Sequence, residues 1–215
     1  DLKSLSEAIG IMGMDFVGSN NIPLLKGTGE FGSRLMGGKD IAADRYIHVG
    51  LSKISRLIYR PEDDEVLDYQ DEEGSIIEPV HFIPIIPMVL VNGANGIATG
   101  YSTNIPCYNP KDIIKSVVYW IKKKDLPELK PWYRGFMGEV EVTESKCITR
   151  GIFQQKKDVV KITELPVGVW TLTYTQWLNT AINGKKEDKK GKTKEKSVNY
   201  NTKKVDELFE ILEEH

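Results

Sequence analysis

The sequence is poor in the residues that build disulfide frameworks, zinc sites and histidine-dependent catalysis. Its 215 residues include two cysteines, Cys107 and Cys147, and three histidines, His48, His81 and His215. The cysteines form no C-x-x-C pair, which argues against a disulfide framework or a cysteine metal site and favours a reducing compartment. None of the histidines stands in a nucleophile-elbow pattern, so Ser-His-Asp catalysis is not indicated.

Long apolar runs are also missing. The most apolar stretch, residues 82–91, is interrupted by Pro84 and Pro87 and is shorter than the roughly 18 residues that a membrane helix requires. We find no signal-peptide pattern at the start. Because the chain begins on Asp1 rather than on a methionine, we expect it to be a piece of a longer protein.

The net charge of −2 conceals a strong segregation of charge along the chain. Residues 26–60 hold seven cations and three acids, whereas residues 61–79 hold nine acids and no cation. The basic stretch is therefore a candidate nucleic-acid surface despite the acidic total. The acids at 62–65 lack histidine neighbours and the spacing of a calcium loop, and we interpret them as a solvated turn.

Hydrophobic periodicity predicts an α+β chain with a small mixed unit at residues 1–50 and a larger one at 51–215. We expect a helix from Leu5 to Val17 with Ser4 as its N-cap and a buried apolar stripe, formed by Leu5, Ile9, Met12 and Phe16. We expect another from Pro110 to about Lys124 with Asn109 as its cap and an inward apolar face, formed by Ile113, Ile114, Val117, Val118 and Ile121. The remaining expected elements are an acidic hairpin at 68–74, antiparallel strands at 138–142, 146–153 and 159–164, helices at 171–182 and 205–212, and a flexible lysine-rich segment at 185–196.

The stretch from Gly27 to Tyr46 is the most informative. It contains five glycines within twelve residues and the cations Arg34, Lys39 and Arg45. Glycines let a backbone come close to a bulky partner, and cations with free N–H groups bind phosphate. The stretch also matches G-x-G-x-x-G, but this pattern alone is weak, and the flanking Pro23 and Gly37-Gly38 disfavour the strand and helix of a dinucleotide fold.

Tyr46 stands at the end of this stretch, directly after Arg45. Tyrosines are most often half-buried core residues, but this setting favours chemistry. A phenol with a pKa of about 10 is both a nucleophile toward phosphorus and a leaving group that a sugar hydroxyl can displace. The guanidinium of Arg45 can stabilise the charge that develops on the phosphate oxygens.

A second small-residue stretch, residues 92–100, is predicted to be a loop that presents the aliphatic Ile97 between glycines. The sequence here resembles a known family, the type IIA DNA topoisomerases of eukaryotes and large DNA viruses. The matching motifs are DFVGSNN (15–21), GEFGSRL (29–35), GGKD (37–40), RYI (45–47), IPIIPMVLVNG (83–93) and GIATG (96–100), with weaker similarity at 162–166 and at Trp170. Asp44, where cellular members usually have proline, points to a viral or divergent member.

The resemblance implies a fold, a chemistry and site residues. Residues 1–50 would be the C-terminal part of a winged-helix domain and residues 51–215 part of a tower domain. Tyr46 would form a 5′-phosphotyrosine link, Arg45 would stabilise the transition state, and Ile97 would enter the base stack and bend the duplex. The positions of Ser4, Arg34 and Lys39 match the DNA-facing surface.

The same resemblance implies partners and cofactors. The full-length protein would be a homodimer that passes one DNA duplex through another, using Mg²⁺ and ATP, in the nucleus or, for a viral protein, at a cytoplasmic replication site. This segment would bind no metal or nucleotide, would contact no membrane and would be inactive alone. A non-catalytic DNA-bending module and an interaction domain built on the acidic hairpin remain as alternatives.

Overall fold

The chain folds into short helices and two-stranded antiparallel sheets, which confirms the predicted α+β class. The computed structural model describes residues 2–143, 146–183, 186–187 and 193–194. Two compact units form, one from Asp1–Ser33 with Gly38–Phe136 and the other from Arg34–Gly37 with Met137–His215. This division does not fall at residue 50, and the assignment of winged-helix and tower domains stays a prediction.

The first unit contains three hairpins and four helices, besides 3-10 turns at Asp44–Tyr46 and Pro61–Val66. Its strands pair β1 with β2, β3 with β4 and β5 with β6. The elements are α1 (Leu2–Gly13), β1 (Leu25–Thr28), β2 (His48–Leu51), α2 (Ser55–Ile58), β3 (Tyr69–Glu72), β4 (Ser75–Pro79), α3 (Met88–Val91), β5 (Ala94–Ala98), β6 (Tyr101–Ile105) and α4 (Pro110–Ile121).

The second unit contains the strands predicted after residue 137, but paired two by two rather than in one meander. The expected strand at 146–153 is divided at Gly151, where a Cβ would lie 2.2 Å from the carbonyl oxygen of Glu164. Its elements are β7 (Glu139–Val142), β8 (Cys147–Arg150), β9 (Ile152–Lys156), β10 (Val159–Glu164), α5 (Thr171–Asn183), β11 (Lys186–Glu187) and β12 (Thr193–Lys194). The helix predicted at 205–212, and most of the lysine-rich segment, lie outside the described residues.

Helix α1 differs from its prediction at both ends. It begins at Leu2, so Ser4 lies within it and is not its N-cap, and it ends at Gly13 rather than near Gly18. The chain turns after Gly13, where the backbone N–H of Phe16 donates to the Ser19 hydroxyl at 2.8 Å. A side chain that competes for backbone hydrogen bonds in this way favours a turn over a further helical turn.

The buried face of α1 is also not the expected aliphatic stripe. Leu5 and Met12 are exposed, and the buried residues are Gly10 and Gly13. A Cβ at Gly10 would lie 2.6 Å from Ile41, and one at Gly13 would lie 2.8 Å from the ring of Phe31. The helix therefore packs against the glycine-rich stretch through its two glycines.

Helix α4 confirms its predicted cap and contributes Ile113 to the buried core. The side chain of Asn109 accepts a hydrogen bond from the backbone N–H of Lys111 at 3.0 Å, and Pro110 opens the helix. Ile113 is buried against α3, whereas Ile114 and Ile121, also expected to face inward, are exposed. The buried apolar core consists of Ile86, Val91 and Ile113, with Ile22, Met88, Leu90, Tyr108 and Val117 packed around it.

Two asparagine amides, buried Asn21 and half-buried Asn92, tie the segments of the first unit together. The Asn21 amide donates to the carbonyl oxygens of Val91, Tyr108 and Trp132 at 3.0 to 3.1 Å, and its oxygen accepts from the N–H of Arg134 at 2.8 Å. Asn92 pairs in the same way with Ile22, accepting from its N–H and donating to its carbonyl oxygen, both at 2.9 Å.

These bonds fix the two points from which the hairpins that carry Tyr46 and Ile97 extend. The chain leaves Asn21 and Ile22 to enter β1, and it leaves Val91 and Asn92 to enter β5. Asn21 is only 4% exposed, so each of its partners would lose a hydrogen bond in a dry environment if the amide were removed. The Asn21–Asn92 clamp, as we name these bonds, therefore sets the base of both hairpins.

We expect Asn21→Ala to lower the free energy of unfolding by about 3 kcal/mol or more, because several buried backbone groups lose their partner. Urea unfolding followed by tryptophan fluorescence measures this loss. Asn95→Ala is the matched control, since Asn95 is exposed on β5, and it should change stability by less than about 0.5 kcal/mol. Equal stability of the two variants would contradict the structural role of Asn21.

Candidate functional site

The glycine-rich stretch is a folded turn built around the buried ring of Phe31. Phe31 is 8% exposed and pairs with Ile41 in an isolated antiparallel bridge. The ring occupies space left free by glycines, since a Cβ at Gly27 would lie 2.3 Å from it and one at Gly13 would lie 2.8 Å from it. Glycine is required here because an aromatic side chain packs directly onto the backbone.

A hydrogen-bonded pair closes this turn. The backbone N–H of Ser33 donates to Asp40 at 2.9 Å, and the Ser33 hydroxyl donates to the other carboxylate oxygen. The Ser33 hydroxyl, followed by its N–H, lowers the pKa of Asp40 below its ordinary value because both bonds favour the charged carboxylate. Gly32 and Gly38 have φ of +81° and +85°, and a Cβ on Gly32 would lie 2.6 Å from the Gly38 Cα atom.

Tyr46 lies at the end of the same stretch with its ring exposed. It occupies the last position of the 3-10 turn Asp44–Tyr46, and its backbone N–H donates to the carbonyl oxygen of Ala43 at 2.8 Å. The side chain is 66% exposed, so the phenol oxygen is open to a large partner. The sequence placed this tyrosine in an extended segment, whereas β2 begins only at His48.

The guanidinium of Arg45 lies over the ring of Tyr46. The guanidinium carbon is 4.7 Å from the ring centroid, which is a cation–π contact. At an exposed site such a contact contributes about 0.5–1 kcal/mol and restricts the orientation of both side chains. A positive charge and a phenol oxygen thus lie within reach of one phosphate group.

The backbone around Tyr46 is held by the first hairpin. Strands β1 and β2 pair Thr28 with His48 and Leu25 with Leu51, so Gly29 lies beside the turn that carries Tyr46. Gly29 has φ of +107°, and a Cβ there would lie 3.2 Å from the Tyr46 carbonyl oxygen. The hairpin base is secured by Ser55, whose hydroxyl donates to the Leu24 carbonyl oxygen at 2.5 Å.

Ile97 lies near the tip of a hairpin that extends from the clamp into solvent. The prediction of a loop over 92–100 is wrong, because residues 94–98 form β5 and pair with β6. The alternation of small and polar residues hid the strands, since glycine and alanine have low strand propensity. Ile97 is 91% exposed, and a Cβ at Gly96 or Gly100 would meet nothing within 4 Å.

The other predicted DNA contacts differ in their surroundings. Ser4 is exposed on α1, and Lys39 is exposed in the glycine-rich turn. Arg34 is instead engaged within the second unit: its guanidinium pairs with the buried carboxylate of Glu164 and donates to the Leu165 carbonyl oxygen at 2.8 Å. Its role at DNA stays a prediction, and the structure gives it a further role as the partner of a buried acid.

The segment around Arg34 packs into the second unit as a whole. The N–H of Leu172 donates to the Leu35 carbonyl oxygen at 3.0 Å. A Cβ at Gly37 would lie 2.2 Å from the Trp170 ring, so this glycine also serves a close approach. The sequence at Trp170 resembles the family, but no local pattern indicates that this ring contacts Gly37.

The acidic residues at 62–65 lie in a 3-10 turn and are partly neutralised by arginines. Asp64 pairs with Arg56 at 2.6 Å, and Glu62 pairs with Arg60 at 3.1 Å. Over the part of the chain that the structure describes, no three His, Cys, Asp or Glu residues are grouped so that they could hold a metal ion.

Three further features are a buried cysteine, the acidic hairpin and the length of the helices. The buried Cys107 thiol has its pKa raised to about 11 by desolvation, which makes it a poor nucleophile. The predicted acidic hairpin is confirmed as β3 and β4, which turn at Glu73 and Gly74. Within the described ranges, no helix is both long enough and apolar enough to span a bilayer.

Comparison with known proteins identifies similar chains. A family model described as that of the A-type subunit of DNA gyrase/topoisomerase IV matches residues 3–210. The chain is 46% identical to DNA topoisomerase 2 of Drosophila melanogaster over 190 residues, which are 87% of this chain and 13% of that protein. It is 44% identical to DNA topoisomerase 2 of Arabidopsis thaliana over 209 residues, which are 92% of this chain and 14% of that protein.

A solved structure gives the same result. The crystal structure of the Plasmodium falciparum topoisomerase II DNA-binding, cleavage and re-ligation domain matches with a TM-score of 0.82 and 38% sequence identity. The match covers 98% of this chain and 30% of that one. The chain thus spans about one seventh of the length of the full-length relatives above.

We expect Gly27→Ala to destabilise the protein by about 1–3 kcal/mol, because the added methyl group overlaps the buried Phe31 ring and forces it to move. Thermal or urea unfolding measures the loss. Gly50→Ala is the matched control, since Gly50 lies on the partner strand with nothing within 4 Å of its Cβ position. An equal loss in both variants would mean that strand conformation, and not the Phe31 contact, requires glycine at position 27.

Proposed function

The chain belongs to the type IIA DNA topoisomerases, and we propose that it is part of the region with which such an enzyme cuts and rejoins DNA. The observation that carries the proposal is the exposed ring of Tyr46 with the Arg45 guanidinium over it, beside a turn formed by glycines. This arrangement leaves a nucleophile and a cation open to a DNA backbone.

In the proposed reaction the phenol oxygen of Tyr46 attacks a backbone phosphorus. A bond forms between the tyrosine oxygen and phosphorus as the bond from phosphorus to the 3′ oxygen breaks, so the phosphate stays on the 5′ oxygen of the other DNA end. The phenol gives up its proton, and the departing 3′ oxygen gains one. Because one phosphodiester replaces another, the released 3′ hydroxyl can attack the phosphotyrosine and reseal the strand.

Arg45 acts on the charge of the transition state. The attacked phosphorus passes through a five-coordinate arrangement with increased negative charge on its oxygens. A guanidinium can donate two parallel hydrogen bonds to such oxygens, which an ammonium cannot do in the same geometry. Loss of one such donor costs about 10²–10³ in rate in other enzymes.

Ile97 serves as a wedge that bends the bound duplex. Apolar side chains that enter between base pairs unstack them and kink the helix, at a cost of a few kcal/mol per step. Ser4 and Lys39, both exposed, contact the DNA backbone and hold the duplex in register. Arg34 also contacts the DNA backbone, through the N–H groups of its guanidinium that are not bonded to Glu164 or Leu165.

The proposal for the full-length protein extends beyond this chain. There, residues 1–50 complete a winged-helix domain and residues 51–215 form part of a tower domain. The protein works as a homodimer on double-stranded DNA, hydrolyses ATP and uses Mg²⁺ bound outside this segment. It acts in the nucleus, or at a replication site in the host cytoplasm if the source is a virus, and the segment alone relaxes no DNA.

We expect Tyr46→Phe in the full-length protein to abolish covalent protein–DNA adducts and leave DNA binding unchanged, because only the attacking oxygen is removed. Adducts trapped by denaturant are counted on gels, and binding is measured by fluorescence anisotropy. Tyr69→Phe is the control, since Tyr69 is an exposed tyrosine outside the site and should keep its adducts. Adducts that persist in Tyr46→Phe would favour a DNA-bending module with another role for this ring.

We expect Ile97→Ala to reduce DNA bending markedly while affinity falls by less than about tenfold, because phosphate contacts supply most of the binding free energy. Energy transfer between dyes at the ends of a short duplex reports the bend. Ile76→Ala removes a comparably exposed isoleucine from the acidic hairpin and should change neither quantity. An unchanged bend in Ile97→Ala would remove the wedge from the proposal.

A further inference from the structure

The hairpin of β5 and β6 has two chemically different faces. Directly opposed residues in an antiparallel pair point to the same side. Ile97 is opposite Ser102, and Asn95 is opposite Asn104, two positions nearer the hairpin base. One face therefore carries the wedge together with a hydroxyl and two amides. The other face carries Ala94, Gly96, Ala98, Tyr101, Thr103 and Ile105.

The two amides are free to bind a partner. Asn95 and Asn104 are exposed, and neither side chain is bonded to any residue in the described part of the chain. Asparagine is disfavoured in strands, so two of them facing each other weaken the hairpin locally. A two-stranded hairpin exposed on both sides also gains little from packing. An external partner therefore explains the presence of Asn95 and Asn104 better than a contribution to stability does.

The amides lie about two base-pair steps from the wedge along the hairpin. Two residues along an antiparallel strand cover about 6.8 Å. Successive base pairs rise about 3.4 Å along a DNA strand. When Ile97 is inserted between two base pairs, the side-chain amides of Asn95 and Asn104, two positions nearer the hairpin base, can reach the edge of a neighbouring base pair.

We propose that Asn95 and Asn104 contact the minor-groove edge of the base pair beside the wedge and favour pairs that lack the guanine amino group. The inference rests on the proposed function, since it takes Ile97 as the inserted residue. Apolar wedges of this kind enter from the minor groove. There the amide N–H groups can donate to adenine N3 or thymine O2, whereas the guanine amino group obstructs the same approach.

The test compares duplexes that differ only in that amino group. A gate duplex with guanine in its centre is compared with the same duplex carrying inosine, which removes the minor-groove amino group and leaves the major groove unchanged. Binding is measured by anisotropy on the full-length protein with Tyr46→Phe, so that no covalent adduct forms. The preference is the ratio of the two affinities.

We expect the parent protein to bind the inosine duplex about three- to tenfold more tightly, as one or two hydrogen bonds allow. The double variant Asn95→Ala/Asn104→Ala should lose most of this ratio. Asn95→Asp/Asn104→Asp, which keeps shape but replaces donors by acceptors, should reverse it. Thr103→Ala, on the opposite face, is the matched control and should keep the parent ratio.

Two results would overturn the inference: a parent ratio of about one, or a ratio that survives in the double alanine variant and so reflects the softer inosine duplex alone. A third duplex carries 7-deazaguanine in place of guanine, which alters only the major groove. If its affinity also differed from that of the guanine duplex, the inference would be overturned as well. Failure of the proposed function is distinguishable, because it would show in the bend angle of Ile97→Ala and in the adducts of Tyr46→Phe, and neither measurement uses an asparagine variant.

Discussion

The structure of the first unit depends on a few hydrogen bonds made by the side-chain amides of two asparagines, one buried and one half-buried. The Asn21 side chain joins three carbonyl groups and one N–H from segments that are 70 to 113 residues away in the sequence. Asn92 repeats this pairing with Ile22. Since a buried backbone group without a partner is costly, the clamp admits one arrangement of these segments. The hairpins of Tyr46 and Ile97 both start from it, so the two side chains proposed to act on DNA share one base.

A second constraint acts on the glycine-rich stretch, and it is steric rather than polar. The Phe31 ring fills the space where Gly13 and Gly27 have no side chain. The bonds from Ser33 to Asp40 then close the turn. The glycines were interpreted as a surface for close approach of a partner, but several of them serve packing within the protein. Tyr46, Arg45 and Lys39, and not the glycines themselves, are therefore the exposed groups that we propose to contact DNA.

The sequence predicted those features that depend on local chemistry. The cap of α4, the acidic hairpin, the strands after residue 137 and the exposure of Tyr46 and Ile97 follow from turn residues, periodicity and charge. It did not predict features that depend on distant contacts. The partner of Arg34 is at residue 165, 131 positions away, and no local pattern indicates it. The end of α1 was missed because it depends on a hydrogen bond to the Ser19 side chain. The strands around Ile97 were missed because glycine and alanine have low strand propensity.

The exposure of Ile97 has an energetic meaning once DNA is the partner. An isoleucine left 91% exposed gains nothing from folding, whereas its burial between base pairs is worth roughly 1.5–3 kcal/mol. Unstacking one base step costs a few kcal/mol, so the two terms nearly offset each other. The wedge alone therefore neither drives binding nor prevents it. The bend it imposes must be sustained by phosphate contacts elsewhere, and a small preference at a neighbouring base pair then suffices to choose where the duplex bends.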